Sequence, residues 1–209
     1  RYLADWAAPR ARAVSVVPTT IDVTSTPIED AAVPPEPIVG WIGTRVNLMY
    51  LRAVLPALSD VAIRRPQAKL KIVCDDFLDA EGVAVVRKPW SVADEPSDLA
   101  SFAVGIMPLP DDAWTRGKCA VKILQCFAAS RPVVCSPVGA NLEVVEHGRN
   151  GFFAESRAEW VARLDELLAD PEMRRRMGAE GRKTVAQRYS TAGHVDPLLA
   201  AIGVQGARA

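Results

Sequence analysis

Residues 117–151 read GKCAVKILQCFAASRPVVCSPVGANLEVVEHGRNG, and this stretch decides the fold. Spaced on a 3.6-residue period, Lys118, Lys122 and Gln125 fall within about 60° of one another, while Cys119, Val121, Ile123, Leu124, Cys126 and Phe127 cover the rest of the surface. A helix this apolar is expected to be buried. Two ammonium groups on its only polar stripe then face either a cleft holding an anion or, as the plainer alternative, the solvent. Arg116 and Gly117 stand at the expected start of the helix, over about 118–129, where free N–H groups and the dipole favour anions. Pro132-Val133-Val134-Cys135 follows as a wholly apolar strand, the pattern of a central parallel strand whose end carries a ligand. Together these residues point to a pocket for a phosphorylated ligand.

Working outward, strand and helix patterns alternate. Strands are expected at 38–42, 69–74, 83–87, 103–107 and 132–136. Helices are expected from about 47 to 64, at 95–101, at 118–129 and, briefly, at 141–146, where His147-Gly148 supplies the stop. Such alternation predicts an α/β protein, a Rossmann-like parallel sheet with helices on both faces. Residues 159–168 and 172–189 read as amphipathic helices, the second carrying Arg174-Arg175-Arg176 as a solvated face. Before the sheet, residues 1–12 read as the end of a helix and Val14-Ser15-Val16-Val17 as a strand stopped by Pro18. Pro27, Pro34, Pro35 and Pro37 mark residues 24–37 as a linker. The chain thus divides into 1–37, the end of a preceding domain with its linker; 38–190, the sheet domain; and 191–209, a fraying tail.

Composition narrows the function. The 209 residues include 25 basic and 25 acidic side chains and are 49% hydrophobic, as expected of a globular protein that is not a bulk nucleic-acid binder. No apolar run approaches the roughly 18 residues of a spanning helix, and a cytoplasmic setting is expected. The lack of an initiator Met suggests a piece of a longer protein. Cys74, Cys119, Cys126 and Cys135 show no metal-ligand spacing and read as buried thiols in a reducing compartment. His147 and His194 lie near no nucleophile motif, which argues against a triad hydrolase. No Gly-x-Gly-x-x-Gly follows the first strand, and Gly43-Thr44-Arg45 is a poor substitute, so a dehydrogenase is disfavoured.

Five segments taken in order carry a resemblance: Val17-Pro18-Thr19-Thr20-Ile21-Asp22; Val39-Gly40-Trp41-Ile42-Gly43; Gly105-Ile106-Met107-Pro108-Leu109-Pro110; residues 122–137; and residues 143–152. Over about 14–190 the chain resembles the C-terminal, donor-binding half of GT-B-fold, family 4 retaining glycosyltransferases (glycosyl transferases group 1). The resemblance implies a separate N-terminal domain with most of the acceptor site, and a nucleotide-sugar donor held between the two domains. It also implies transfer with retention to a sugar, lipid-linked or small-molecule acceptor, without a metal cofactor. The full-length protein is expected to be a bacterial, cytoplasmic enzyme, or one associated peripherally with a membrane.

Residue by residue, the family's Glu-x7-Glu motif falls on Gly117 and Gln125, so both carboxylates are absent. Gln125 can still bond a ribose diol, and Gly117 can offer only its backbone N–H. In the loop after the first strand, Gly43-Thr44-Arg45-Val46-Asn47 keeps one cation, and Arg45 with Lys118 or Lys122 is expected to hold the departing diphosphate. Arg45 and Lys122 are therefore the catalytic candidates. Gly43, Thr44, Gly117, Lys118 and Gln125 are donor-binding candidates, with Trp90 as a surface for the base or a cap on the strand ends. Asp75-Asp76 and Asp111-Asp112 read as loop acids rather than Mg²⁺ ligands. A GT-B-fold nucleotide-sugar epimerase and a nucleotide-binding module without catalysis remain as alternatives.

Overall fold

The computed structural model describes residues 2–24, 34 and 36–203. Pro27 and Pro35 of the expected linker, and residues 204–209 of the expected tail, lie outside these. The chain opens with helix α1 (Tyr2–Ala7) and a 3-10 turn, then runs to strand β1 (Ile38–Ile42). A 3-10 turn (Arg45–Asn47), α2 (Leu48–Arg52) and α3 (Leu55–Arg64) lead to β2 (Lys69–Cys74) and β3 (Ala84–Pro89). Next come α4 (Glu95–Ala100), β4 (Val104–Met107), α5 (Ala113–Arg116), α6 (Val121–Ala128) and β5 (Val133–Cys135). The chain continues through α7 (Asn141–Val144), β6 (Gly151–Phe153), α8 (Arg157–Ala169), α9 (Pro171–Arg188) and α10 (Val195–Ala201).

All strand pairs are parallel, in the order β3-β2-β1-β4-β5-β6. The expected doubly covered parallel sheet is what the chain forms. Strand alternation sorts side chains between its faces. Val39 and Trp41 join Leu70, Ile72 and Val104 under α2, α3 and α8, where Leu51, Leu58, Leu164 and Leu167 complete one core. Ile38, Ile42 and Val73 turn the other way, to Leu99 of α4, Ile123, Leu124 and Phe127 of α6, and Val185 of α9. Gly40 lies between Ile38 and Ile42 on this second face, and an added Cβ would sit 2.1 Å from the Phe102 ring. A side chain there forces that ring to shift.

Local chemistry fixes the helix starts. Ser156 and Glu159 form a reciprocal capping box for α8, Asp112 and Thr115 one for α5, and Asp170 caps α9 through the Met173 N–H. Pro56, Pro96 and Pro171 occupy first-turn positions of α3, α4 and α9, where no donor is lost.

Several expectations are corrected. Val14–Val17 form no strand: among the described residues, the only β contact in that region is an isolated bridge between Ile21 and Ser190. The single helix expected after β1 is three pieces. The helix expected over 118–129 starts at Val121, because Ala120 adopts a left-handed φ of 55° and ends the preceding loop. Lys118 and Cys119 are therefore loop residues, and Cys119 is exposed while the other three thiols are buried. The α5 turn and strand β6 were not expected. Arg174 is buried rather than solvated, donating to Leu167 and Leu168 carbonyls at the end of α8. Among the described residues, no single helix is long and apolar enough to cross a membrane.

Candidate functional site

Successive strands build outward from β1 to β2 and β3, then return past β1 to β4, β5 and β6. The crevice at the carboxyl ends of β1 and β4 is the point where an open α/β sheet binds ligands. A cavity of about 250 Å³ opens there. Ile42, Gly43 and Met107 form its floor at the strand ends, Asn47 and Tyr50 one wall, and residues 117–122 the other.

The second wall is electropositive. Helix α6 has no side-chain cap, since Ala120 holds the N-cap position, and its first-turn residues Val121 and Lys122 line the cavity, which puts the positive end of the helix dipole beside it. Lys122, in the first turn, lines the cavity half-buried, and no hydrogen bond or ion pair ties its ammonium among the described residues. Lys118 approaches from the loop. Its Nζ lies 3.2 Å from Asn47 Oδ1 and 5.2 Å from the centroid of the Tyr50 ring. An uncapped helix start and two lysines in one concavity make it electropositive, a surface complementary to an anion.

The residues singled out in the sequence fall into three groups. Gly43, Gly117, Lys118 and Lys122 share the cavity. An added Cβ on Gly43 would lie 2.4 Å from the Trp41 ring, so its floor position requires glycine. Gln125 and Trp90 form a second group, joined by Glu95: Gln125 Nε2 donates to Glu95 Oε1 at 2.5 Å, and Trp90 Nε1 to Glu95 Oε2 at 2.6 Å. Thr44 and Arg45 make the third, on the exposed loop beside the cavity. The Arg45 N–H donates to Asp75 Oδ1 at 2.8 Å, its guanidinium is 3.9 Å from Asp75 Oδ2, and its side chain is 72% exposed. That N–H, helped by the Cys74 thiol, holds the Asp75 carboxyl below its ordinary range. Arg116, expected at the start of the key helix, ends α5 instead and is held in a two-point pair by Asp111.

The aspartates weighed as metal ligands have local partners. Asp111 binds Arg116, Asp112 caps α5, Asp75 meets Arg45 and Asp76 accepts from the Phe77 N–H. No group of three or more His, Cys, Asp or Glu among the described residues is arranged for a metal ion. Asn47, Tyr50 and Glu95 were missed. Glu95 reads in sequence as an ordinary acid in the first turn of a helix, and only the packing of α4 on α6 brings it to Gln125.

This fold and cavity define a doubly wound α/β domain with a crevice at the reversal point of its sheet. The chain belongs to the glycosyl transferases group 1 family, which matches residues 36–170. EpsD of Bacillus subtilis is 32% identical over 80 residues, covering 37% of this chain and 21% of that protein. Spore coat protein SA of the same organism is 31% identical over 68 residues, covering 31% of this chain and 18% of that protein. The matched chain thus spans about a fifth of the length of these curated relatives. Among solved structures, the C-terminal domain of a glycosyl transferase group 1 family protein, LpcC of Francisella tularensis, superposes with a TM-score of 0.65 at 16% identity, over 82% of this chain and 99% of that one. Anabaena Alr3699/HepE, in complex with UDP and glucose, gives 0.70 at 15% identity over 89% of this chain and 55% of that one. S. aureus TarM, in a complex that includes UDP, gives 0.74 at 13% over 94% and 41%. These likenesses establish the GT-B C-terminal domain fold.

Proposed function

We propose that this chain is the donor-binding half of an enzyme that moves a sugar from a nucleoside-diphosphate donor to a sugar, lipid-linked or small-molecule acceptor, with retention at the anomeric carbon. The observation that carries this reading is the cavity wall of Lys118, Lys122 and the uncapped start of α6 at the reversal point of the sheet. Family membership and the UDP bound by HepE and TarM support it. As the glycosidic bond breaks, negative charge grows on the departing diphosphate, and fixed cations and N–H dipoles stabilise that charge more than they stabilise the ground state. Lys118 and Lys122 supply this without a metal ion, and Arg45 adds a third cation from the exposed loop once a ligand draws it from Asp75. A cytoplasmic setting, where nucleotide sugars and reduced thiols coexist, belongs to the same proposal.

A second reading is a nucleotide-binding module without catalysis. It is favoured by Gly117 and Gln125, which stand where the family resemblance expects carboxylates. One experiment addresses ligand class for both: thermal melting of the chain with UDP-, GDP- and dTDP-sugars. At a hundred times its dissociation constant, a ligand adds about 2.7 kcal/mol, which raises the melting temperature by about 5–10 °C in a chain of this size. Stabilisation by one nucleotide series is expected, and no response to any series defeats both readings. Sugar transfer by the full-length enzyme to an acceptor then separates the transferase from the module.

A further inference from the structure

A second cavity, of about 530 Å³, adjoins the lysine wall of the first. Gly117, Lys118 and Cys119 line both, so the loop before α6 is a shared partition. Much of the remaining wall comes from the start of the chain: Leu3 of α1, and Val14, Val16, Val17 and Pro18 of the segment after it, to which α7 adds Val144. An added Cβ at Gly117 would lie 3.5 Å from Leu3 Cδ2, so α1 reaches the partition itself. Backbone bonds anchor the segment where it leaves the cavity, since the Ile21 N–H donates to the Tyr189 carbonyl and the Thr191 N–H to the Ile21 carbonyl.

The cavity is chemically two-sided. At the partition stand two cations, Lys118 and Arg116, the latter already paired with Asp111. Away from it the lining is mainly aliphatic, and those side chains are left in water: Leu3 and Val16 are each 60% exposed and Val14 39%. Apolar surface gathered in one concavity and left wet is complementary to an apolar group. A free sugar fits poorly there, because each hydroxyl taken from water needs a polar partner that aliphatic walls do not supply. The matching ligand is an amphiphile, with an anionic end at the partition and a hydrocarbon chain along α1 and residues 14–18.

We propose that the second cavity binds the hydrocarbon chain of a lipid-linked acceptor, whose anionic linkage lies at the Arg116 and Lys118 end. This rests on the sugar-transfer reading and narrows its acceptor to one class. A donor with its diphosphate at Lys118 and Lys122 has its reacting carbon attached directly to that diphosphate. A lipid anchored across the shared partition brings its acceptor group to the same place, and burial of the chain supplies the affinity.

The test is calorimetry on the 209-residue chain with hexyl, octyl and decyl phosphate, each below its micelle concentration, and inorganic phosphate as the headgroup control. Affinity is expected to rise about threefold to fourfold with each added methylene. Val16→Asp, at an exposed position, is expected to weaken decyl phosphate about tenfold or more and Val16→Leu to keep it, while uridine and guanosine diphosphate affinities stay within about twofold in both. Affinity independent of chain length, or unchanged in Val16→Asp, overturns the proposal and leaves the donor reading standing. Decyl phosphate is also expected to bind the full-length enzyme, and loss of binding there would mean that the preceding domain fills the cavity, which overturns the proposal as well. If alkyl phosphates bind as expected but no nucleoside diphosphate does, the donor reading falls and the acceptor role with it.

Discussion

Lys118 Nζ lies 3.2 Å from Asn47 Oδ1, and this bond joins the loop before α6 to the turn after β1 across the reversal point of the sheet. The cation is thereby held over the cavity from the side opposite its own loop, with the Tyr50 ring beneath it. Lys122, by contrast, has no such tether among the described residues. One lysine is preorganised for a ligand and the other is free to meet it.

Lys122→Ala is therefore expected to weaken nucleoside-diphosphate binding by about 10- to 100-fold, the range of a hydrogen bond to a charged group. Its melting temperature should stay within about 1 °C of wild type, as for a surface change that breaks no native contact. Calorimetry and thermal melting check the pair of values. Unchanged affinity would remove Lys122 from the site.

Thiol reactivity should be unequal. Cys119 is exposed on the cavity wall, whereas burial pushes the Cys126 thiol up to about 12 and raises those of Cys135 and Cys74 as well. With a chromogenic disulfide at pH 8, one thiol per native chain is expected to react quickly and the rest only on unfolding. A saturating nucleoside diphosphate should slow that one thiol, and rapid labelling of two or more would contradict the burial of Cys74, Cys126 and Cys135.

Gly40→Ala places a methyl group where the Phe102 ring lies, 2.1 Å from its nearest carbon. Overpacking of this kind costs about 1–3 kcal/mol. Denaturant unfolding should show it as a lower midpoint with an unchanged slope. A neutral result would mean that Phe102 does not cover β1.

Acid should unfold the chain through its depressed carboxyls. The Thr115 N–H, with the Trp114 N–H and the Thr115 hydroxyl, holds Asp112 below its ordinary 3.8, and Arg116 does the same for Asp111. A carboxyl lowered by folding contributes fully above its unfolded value and loses that contribution as pH falls through the folded one. Stability is expected to be flat down to about pH 5 and to fall below about pH 4. Asp112→Ala should cost melting temperature at pH 7 but much less at pH 3, and a penalty of equal size at both would show that Asp112 does not act through its charge.

Much of the architecture was legible because it is local. Apolar runs at β1, β2, β4 and β5, separated by helical periods, already dictate a covered parallel sheet, and Pro171 and the acids of the first turns mark helix starts. The misreadings have a common cause. Val14–Val17 has a strand's composition but pairs with no strand among the described residues, and the three residues 151–153 are too short a run to be read as a strand before β5 offers an edge. Ala120 has strong helical propensity, yet the packing of its 1% exposed side chain holds it in a left-handed conformation that propensity disfavours.

The sequence by itself determined the sheet, the family and the presence of two lysines beside an apolar helix, since periodicity and ordered motifs need no partner to be read. Only the tertiary structure decided which cations meet in one concavity. It set Lys118 in a loop against Asn47, turned Arg45 out to Asp75, and brought Glu95 from a distant helix to Gln125 and Trp90. These are long-range pairings fixed by how layers pack over the strand ends, and no local pattern encodes them.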